Sequence, residues 1–141
     1  MIPLTLAEIA ALTGGSLAPA EAAARTVTGP VIIDSRRVTD GALFAALPGE
    51  RADGHDYAPA AVAAGAAGVL ATRPVPGAPA VVVPDVTVAL GALAKGVLGR
   101  LPAATVTGIT GSSGKTSTKD LPGQVVERLG QIGRASCRER V

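Results

Sequence analysis

The chain has 141 residues, 48% of them apolar, enough to bury the core of one folded domain. Its formal charge of +2 comes from 13 basic and 11 acidic side chains, but the surplus sits in Ile132–Val141, where Arg134, Arg138 and Arg140 face only Glu139. What precedes is neutral, with ten charges of each sign, and no apolar run reaches the roughly 18 to 20 residues that span a bilayer, so nucleic-acid binding and a membrane span are not expected. The spacing of Thr5 and Glu8 predicts a capping box, followed by a short helix with Leu6, Ile9, Ala10 and Leu12 as its apolar stripe and Gly14 as its stop. Ser16 to Thr28 is polar and alanine-rich, with no regular element expected. Val31-Ile32-Ile33 reads as a buried strand ending at Asp34, and Ala42 to Leu47 as a second, closed by Pro48-Gly49. Pro59 suits the first turn of a small helix over Pro59 to Ala64. Val69 to Ala71 and Ala80 to Val83 are further strands. Asp85 caps a longer helix with Val86, Leu90, Leu93, Val97 and Leu101 on one face, ended by Pro102. Gly91, Gly96 and Gly99 each weaken that helix by about 1 kcal/mol relative to Ala. Thr105 to Thr110 is one more strand, running into Gly111.

Strands alternating with helices imply an α/β fold with a largely parallel sheet. Pro102 is the candidate boundary between a domain over residues 1–102 and a second that begins at 103–131. Pro3, Glu8 and Gly14-Gly15 interrupt the first apolar stretch, so no secretory signal is read there and the expected location is the cytoplasm. The single cysteine, Cys137, lies in the last ten residues, which leaves the rest of the chain without a thiol. That segment, IGRASCRERV, is similar to a translated frame of a common short-read sequencing adapter. It is therefore read as a scar over residues 132–141 and excluded from the fold.

The strongest chemical signal is TGSSGKTS, Thr110–Ser117. A strand leads into a glycine-rich turn, and Lys and Thr open a helix. The turn aims backbone N–H groups of Thr110, Gly111, Ser112, Ser113 and Gly114 at phosphates. Lys115 reaches the terminal phosphates, and the Thr116 hydroxyl suits Mg²⁺, with Ser117 close behind. The usual pattern G-x-x-x-x-G-K-[ST] places Gly where this chain has Ile109, so the loop is a shorter variant. ATP with Mg²⁺ is the expected cofactor. Pro122-Gly123 interrupts the helix that should follow, at a cost of about 3 kcal/mol for an interior proline. Upstream, Asp34-Ser35-Arg36 at a strand end is either a local turn or a ligand contact. Gly49 to His55 is a loop, and His55, the only histidine, is either structural or functional. Tyr57 reads as packing, and Asp40-Gly41 as a turn.

ITGSSGKTSTKD, Ile109–Asp120, resembles the nucleotide loop of the Mur ligase family, in its D-alanyl-D-alanine-adding branch; other branches have Thr-Asn where this chain has Ser112-Ser113. Ile32 to Thr72 is similar to the N-terminal domain of the same ligases, and the two matches span most of residues 4 to 120. The resemblance implies a small N-terminal α/β UDP-binding domain, followed by the first strand, P-loop and helix of a truncated α/β ATPase domain. It implies that Ser35 meets the uracil or ribose, that Arg36 lies near the diphosphate, and that Arg51, Gly54 and His55 belong to the same UDP site. It also implies ATP-dependent amide-bond formation between UDP-N-acetylmuramoyl-tripeptide and D-alanyl-D-alanine, with Lys115 and Thr116 as catalytic residues. The chain alone is expected to be inactive, with UDP binding surviving. A third-residue-adding Mur ligase and a non-catalytic UDP-binding module are the alternatives.

Overall fold

Seven short strands and three α-helices lie among residues 2–49 and 52–103, the part of the chain that the computed structural model describes. The opening turn is as the spacing requires. β1 (Leu4–Thr5) runs straight into α1 (Leu6–Thr13). The Thr5 hydroxyl accepts the Glu8 N–H at 3.2 Å, and the Glu8 carboxylate accepts the Thr5 N–H at 2.9 Å. This reciprocal pair satisfies two donors that a helix start would leave open. Gly14, at φ 67°, ends the helix in the left-handed conformation that glycine adopts without a Cβ clash.

The stretch Ser16–Thr28 departs from expectation. It holds β2 (Ser16–Ala18), a 3₁₀ turn over Ala20–Ala24 and β3 (Thr26–Val27). β3 pairs antiparallel with β1, and β2 pairs antiparallel with a strand more than sixty residues away, Leu17 opposite Val81. Neither segment is long enough for a local period to show.

The main sheet contains β2, β4 (Val31–Ile32), β5 (Leu43–Ala45), β6 (Gly68–Ala71) and β7 (Ala80–Val82), in the order β2-β7-β6-β5-β4. β4 through β7 are mutually parallel; only β2 runs against them. α2 (Ala58–Ala63) makes the crossover from β5 to β6, and α3 (Val86–Gly99) follows β7. Successive strand residues face opposite sides of the sheet. Leu43, Ala45, Leu70 and Val81 therefore join Leu6 and Ile9 of α1 and Val86 and Leu93 of α3 in one core layer. Phe44, Val69, Ala71 and Ala80 join Ala58 and Ala61 of α2 in the other. Both sheet faces are covered, which is why these strands read as apolar runs and not as alternations.

Two details of the predicted elements change. Ile33 lies outside the strand and is 64% exposed, because β4 is an edge strand whose last turn bends into a loop. α3 ends at Gly99, leaving Leu101 outside the helix and 38% exposed. Gly96 has a packing reason: a Cβ there would stand 2.6 Å from a methyl of Leu12, so the missing side chain lets α3 approach α1. Arg100 ties the same pair, with Nη1 3.1 Å from Glu8 Oε1. Together these elements form the compact unit Met1–Pro102. The predicted strand Thr105 to Thr110 and the segment after it lie outside the described residues. Substituting Thr5→Ala removes the capping box and is expected to lower stability by about 1 kcal/mol in urea unfolding followed by circular dichroism.

Candidate functional site at the carboxyl edge of the sheet

Because β4 to β7 are parallel, their carboxyl ends share one edge, where open α/β sheets place their ligands. Four of the predicted site residues gather there. Asp34 leaves β4 and caps a 3₁₀ turn over Ser35–Arg37, its Oδ1 accepting the Arg36 N–H at 3.1 Å. The Arg36 guanidinium bends back onto the same carboxylate, Nε to Oδ1 at 2.9 Å and Nη2 to Oδ2 at 2.8 Å. The Arg36 side-chain and backbone hydrogen bonds lower the Asp34 carboxyl to about 2. The Arg36 side chain is 87% exposed, so the pair is well screened. Ser35 is half-buried. α2 packs against this turn, and Tyr57 stands close enough to Arg36 to act on its charge. Tyr57 is 47% exposed and is not the core packing residue that its type suggests.

The loop after β5 folds back on itself. Pro48 bridges to Asp53, and the Gly54 N–H donates to Leu47 O at 3.0 Å. Gly54 fits because it has no side chain: a Cβ would stand 2.6 Å from Leu47 O and 2.7 Å from Leu47 N. Asp53 then caps a second 3₁₀ turn, Gly54–Tyr57, by accepting the His55 N–H at 3.0 Å. The His55 ring is 3% exposed, and both of its nitrogens are engaged. Nε2 accepts the Thr72 backbone N–H at 3.0 Å. A backbone amide can only donate, so Nε2 is unprotonated; Nδ1 carries the hydrogen and donates to Asp53 Oδ1. The second Asp53 oxygen accepts from Arg73 Nη2 at 2.8 Å. The backbone N–H and ring of His55, then Arg73, hold the Asp53 carboxyl well below the usual carboxylate range.

Gly54 and His55 thus shape the loop from within, whereas Ser35 and Arg36 present polar atoms at the edge. Arg73 stands at the same edge without having been singled out, since a lone Arg carries no motif; Tyr57 and the exposed Ile33, read from the sequence as packing and as strand, stand there too. Arg51 and the whole phosphate loop, Thr110, Gly111, Ser112, Ser113, Gly114, Lys115, Thr116 and Ser117, lie outside the described residues. A cleft of about 390 Å³ opens at the opposite, amino end of the strands, lined by Arg25, Thr28, Asp40, Gly41 and Gly65 among others, and no predicted site residue borders it. Among the described residues no helix is long and apolar enough to cross a membrane.

An α/β unit with polar turns at the carboxyl edge of a parallel sheet is an architecture found in many ligand-binding proteins, and comparison with known proteins narrows it. The Mur ligase family, catalytic domain, matches residues 30–113. A UDP-N-acetylmuramoyl-tripeptide--D-alanyl-D-alanine ligase of Mycobacterium tuberculosis is 51% identical, over 94% of this chain and 31% of its own length. The crystal structure of MurF from Acinetobacter baumannii superposes with a TM-score of 0.79 at 32% identity, covering 90% of this chain and 28% of that one. MurF ligase from Thermotoga maritima in complex with ADP gives a TM-score of 0.62 at 35% identity, over 72% of this chain and 24% of that one. The chain belongs to the Mur ligase family. It spans about a third of the length of the curated relatives it matches.

Two outcomes follow from the loop geometry. Gly54→Ala forces a methyl onto the Leu47 backbone and is expected to cost about 1 to 3 kcal/mol in denaturant unfolding. Asp34 and Asp53 titrate lower in the folded chain than their ordinary value of 3.8. Their contribution is therefore essentially complete above about pH 5 and is lost progressively as pH falls, for Asp34 toward about 2 and for Asp53 at still lower pH. Unfolding midpoints measured across that window should drop with acidity, and drop less steeply in Asp53→Asn.

Proposed function

We propose that the chain supplies the UDP-binding part and the phosphate loop of a ligase that joins D-alanyl-D-alanine to UDP-N-acetylmuramoyl-tripeptide at the expense of ATP. The observation that carries this reading is the 51% identity with the mycobacterial ligase, extending over 94% of the chain. The geometry of the carboxyl edge supports it. The Ser35 hydroxyl suits a uracil or ribose edge, Arg36 suits phosphate oxygens, and Gly54 and His55 hold the loop that borders them. Arg51 is assigned to the same site by resemblance alone.

The chemistry needs activation because a carboxylate has no good leaving group. The terminal carboxylate of the tripeptide attacks the γ-phosphorus of ATP and releases ADP. The amine of D-alanyl-D-alanine then attacks the acyl phosphate carbon, phosphate leaves, and the amine gives up a proton. The protein's part is mostly positioning and charge stabilisation. Lys115 would neutralise charge on the transferring phosphoryl group. The Thr116 hydroxyl, a hard oxygen donor, suits Mg²⁺, which would offset phosphate charge. Such a precursor and ATP meet in the cytoplasm, where we place the protein.

In the ligase that continues this sequence, Lys115→Ala is expected to lower phosphate release dependent on D-alanyl-D-alanine by about 100-fold or more. Phosphate release that required a free amino acid instead of the dipeptide would replace this reading with the third-residue-adding one.

A further inference from the structure

We propose that Arg73 is a diphosphate-binding residue of the carboxyl edge, held ready for that role by Asp53. The inference rests on reading this edge as the uridine diphosphate site. It starts from what Arg36 has left to offer. Nε and Nη2 of Arg36 both donate to the Asp34 carboxylate, at 2.9 and 2.8 Å, so its side-on fork is already closed and only its outer N–H groups remain for phosphate oxygens. Arg73 is differently placed. Among the described residues its only partner is Asp53, through Nη2 alone at 2.8 Å, which leaves the Nε–H and the Nη1–H groups as separate donors for the oxygens of a diphosphate. Its side chain is 55% exposed, and that of its anchor Asp53 is 31% exposed, so the guanidinium points outward from a sheltered base.

The anchor is itself anchored. Asp53 Oδ1 is fixed by the ring and backbone N–H of His55, and His55 Nε2 is fixed by the backbone N–H of Thr72, the residue next to Arg73. The chain Asp53–His55–Thr72–Arg73 therefore closes on itself and joins the end of β6 to the loop after β5. A guanidinium restrained in this way loses less freedom when it meets a ligand. An ordinary surface ion pair would only staple the loop, and the two roles differ in what they do to ligands.

The experiment titrates the full 141-residue chain by calorimetry with uridine diphosphate and, separately, with uridine. Arg73→Gln is expected to weaken uridine diphosphate by about tenfold or more and to leave uridine within about twofold, with Arg73→Lys in between. Added salt should narrow the gap between the unchanged chain and Arg73→Gln. Unchanged uridine diphosphate affinity in Arg73→Gln, or an equal loss for both ligands, overturns the assignment and leaves the reading of the edge standing. Failure of the unchanged chain to bind either ligand overturns both together. Arg73→Lys keeps the charge and the Asp53 pair, so it carries the same test should Arg73→Gln unfold.

Discussion

The carboxyl edge depends on one buried ring. His55 has almost no access to water, and an unpaired imidazole nitrogen in that position would carry the full cost of desolvation. Both nitrogens are paired, but with partners of opposite character: a carboxylate that accepts and a backbone amide that donates. Only the neutral Nδ1–H tautomer satisfies both at once. The ring thereby draws the loop after β5 onto the end of β6 and sets where Asp53, Gly54 and Arg73 stand. Tyr57 follows two residues on, because the turn capped by Asp53 continues directly into α2.

That arrangement is possible because the sheet beneath it is thin and tightly covered. α2 buries two alanines, Ala58 and Ala61, in the layer that also holds Phe44, with Val62 packed against it. On the other face, α1 and α3 close together where Gly96 has no side chain to hold them apart. Small residues let the helices sit near the strands, and the parallel run from β4 to β7 then brings three consecutive loops to one edge. An antiparallel meander of the same strands would scatter those loops to both ends.

The division of labour at the edge follows from burial. Side chains enclosed by the loop, His55 and the space left by Gly54, determine its shape. Side chains at its rim, Arg36, Tyr57 and Arg73, are about half exposed or more, and Ser35, next to Arg36 in the chain, is half-buried. Their physical roles separate only when hydrogen-bond partners are counted atom by atom.

Much of this protein was legible in the chain alone wherever the governing interaction is local. The Thr5–Glu8 capping box, the Gly14 stop, the Asp85 cap and the apolar strands all depend on residues within a few positions of one another, so their spacing reveals them. The α/β class and the family likeness were legible for the same reason. Tertiary structure alone decided what rests on distant partners. β2 and β3 are strands only because Val81 and Leu4 lie opposite Leu17 and Val27. Ile33 is exposed because β4 lies at the sheet edge. His55 is a brace and Asp53 an anchor because Thr72 and Arg73, 17 and 20 residues further on, come within hydrogen-bonding reach. No local pattern encodes such a meeting; it exists only once the crossover through α2 has laid β6 beside β5.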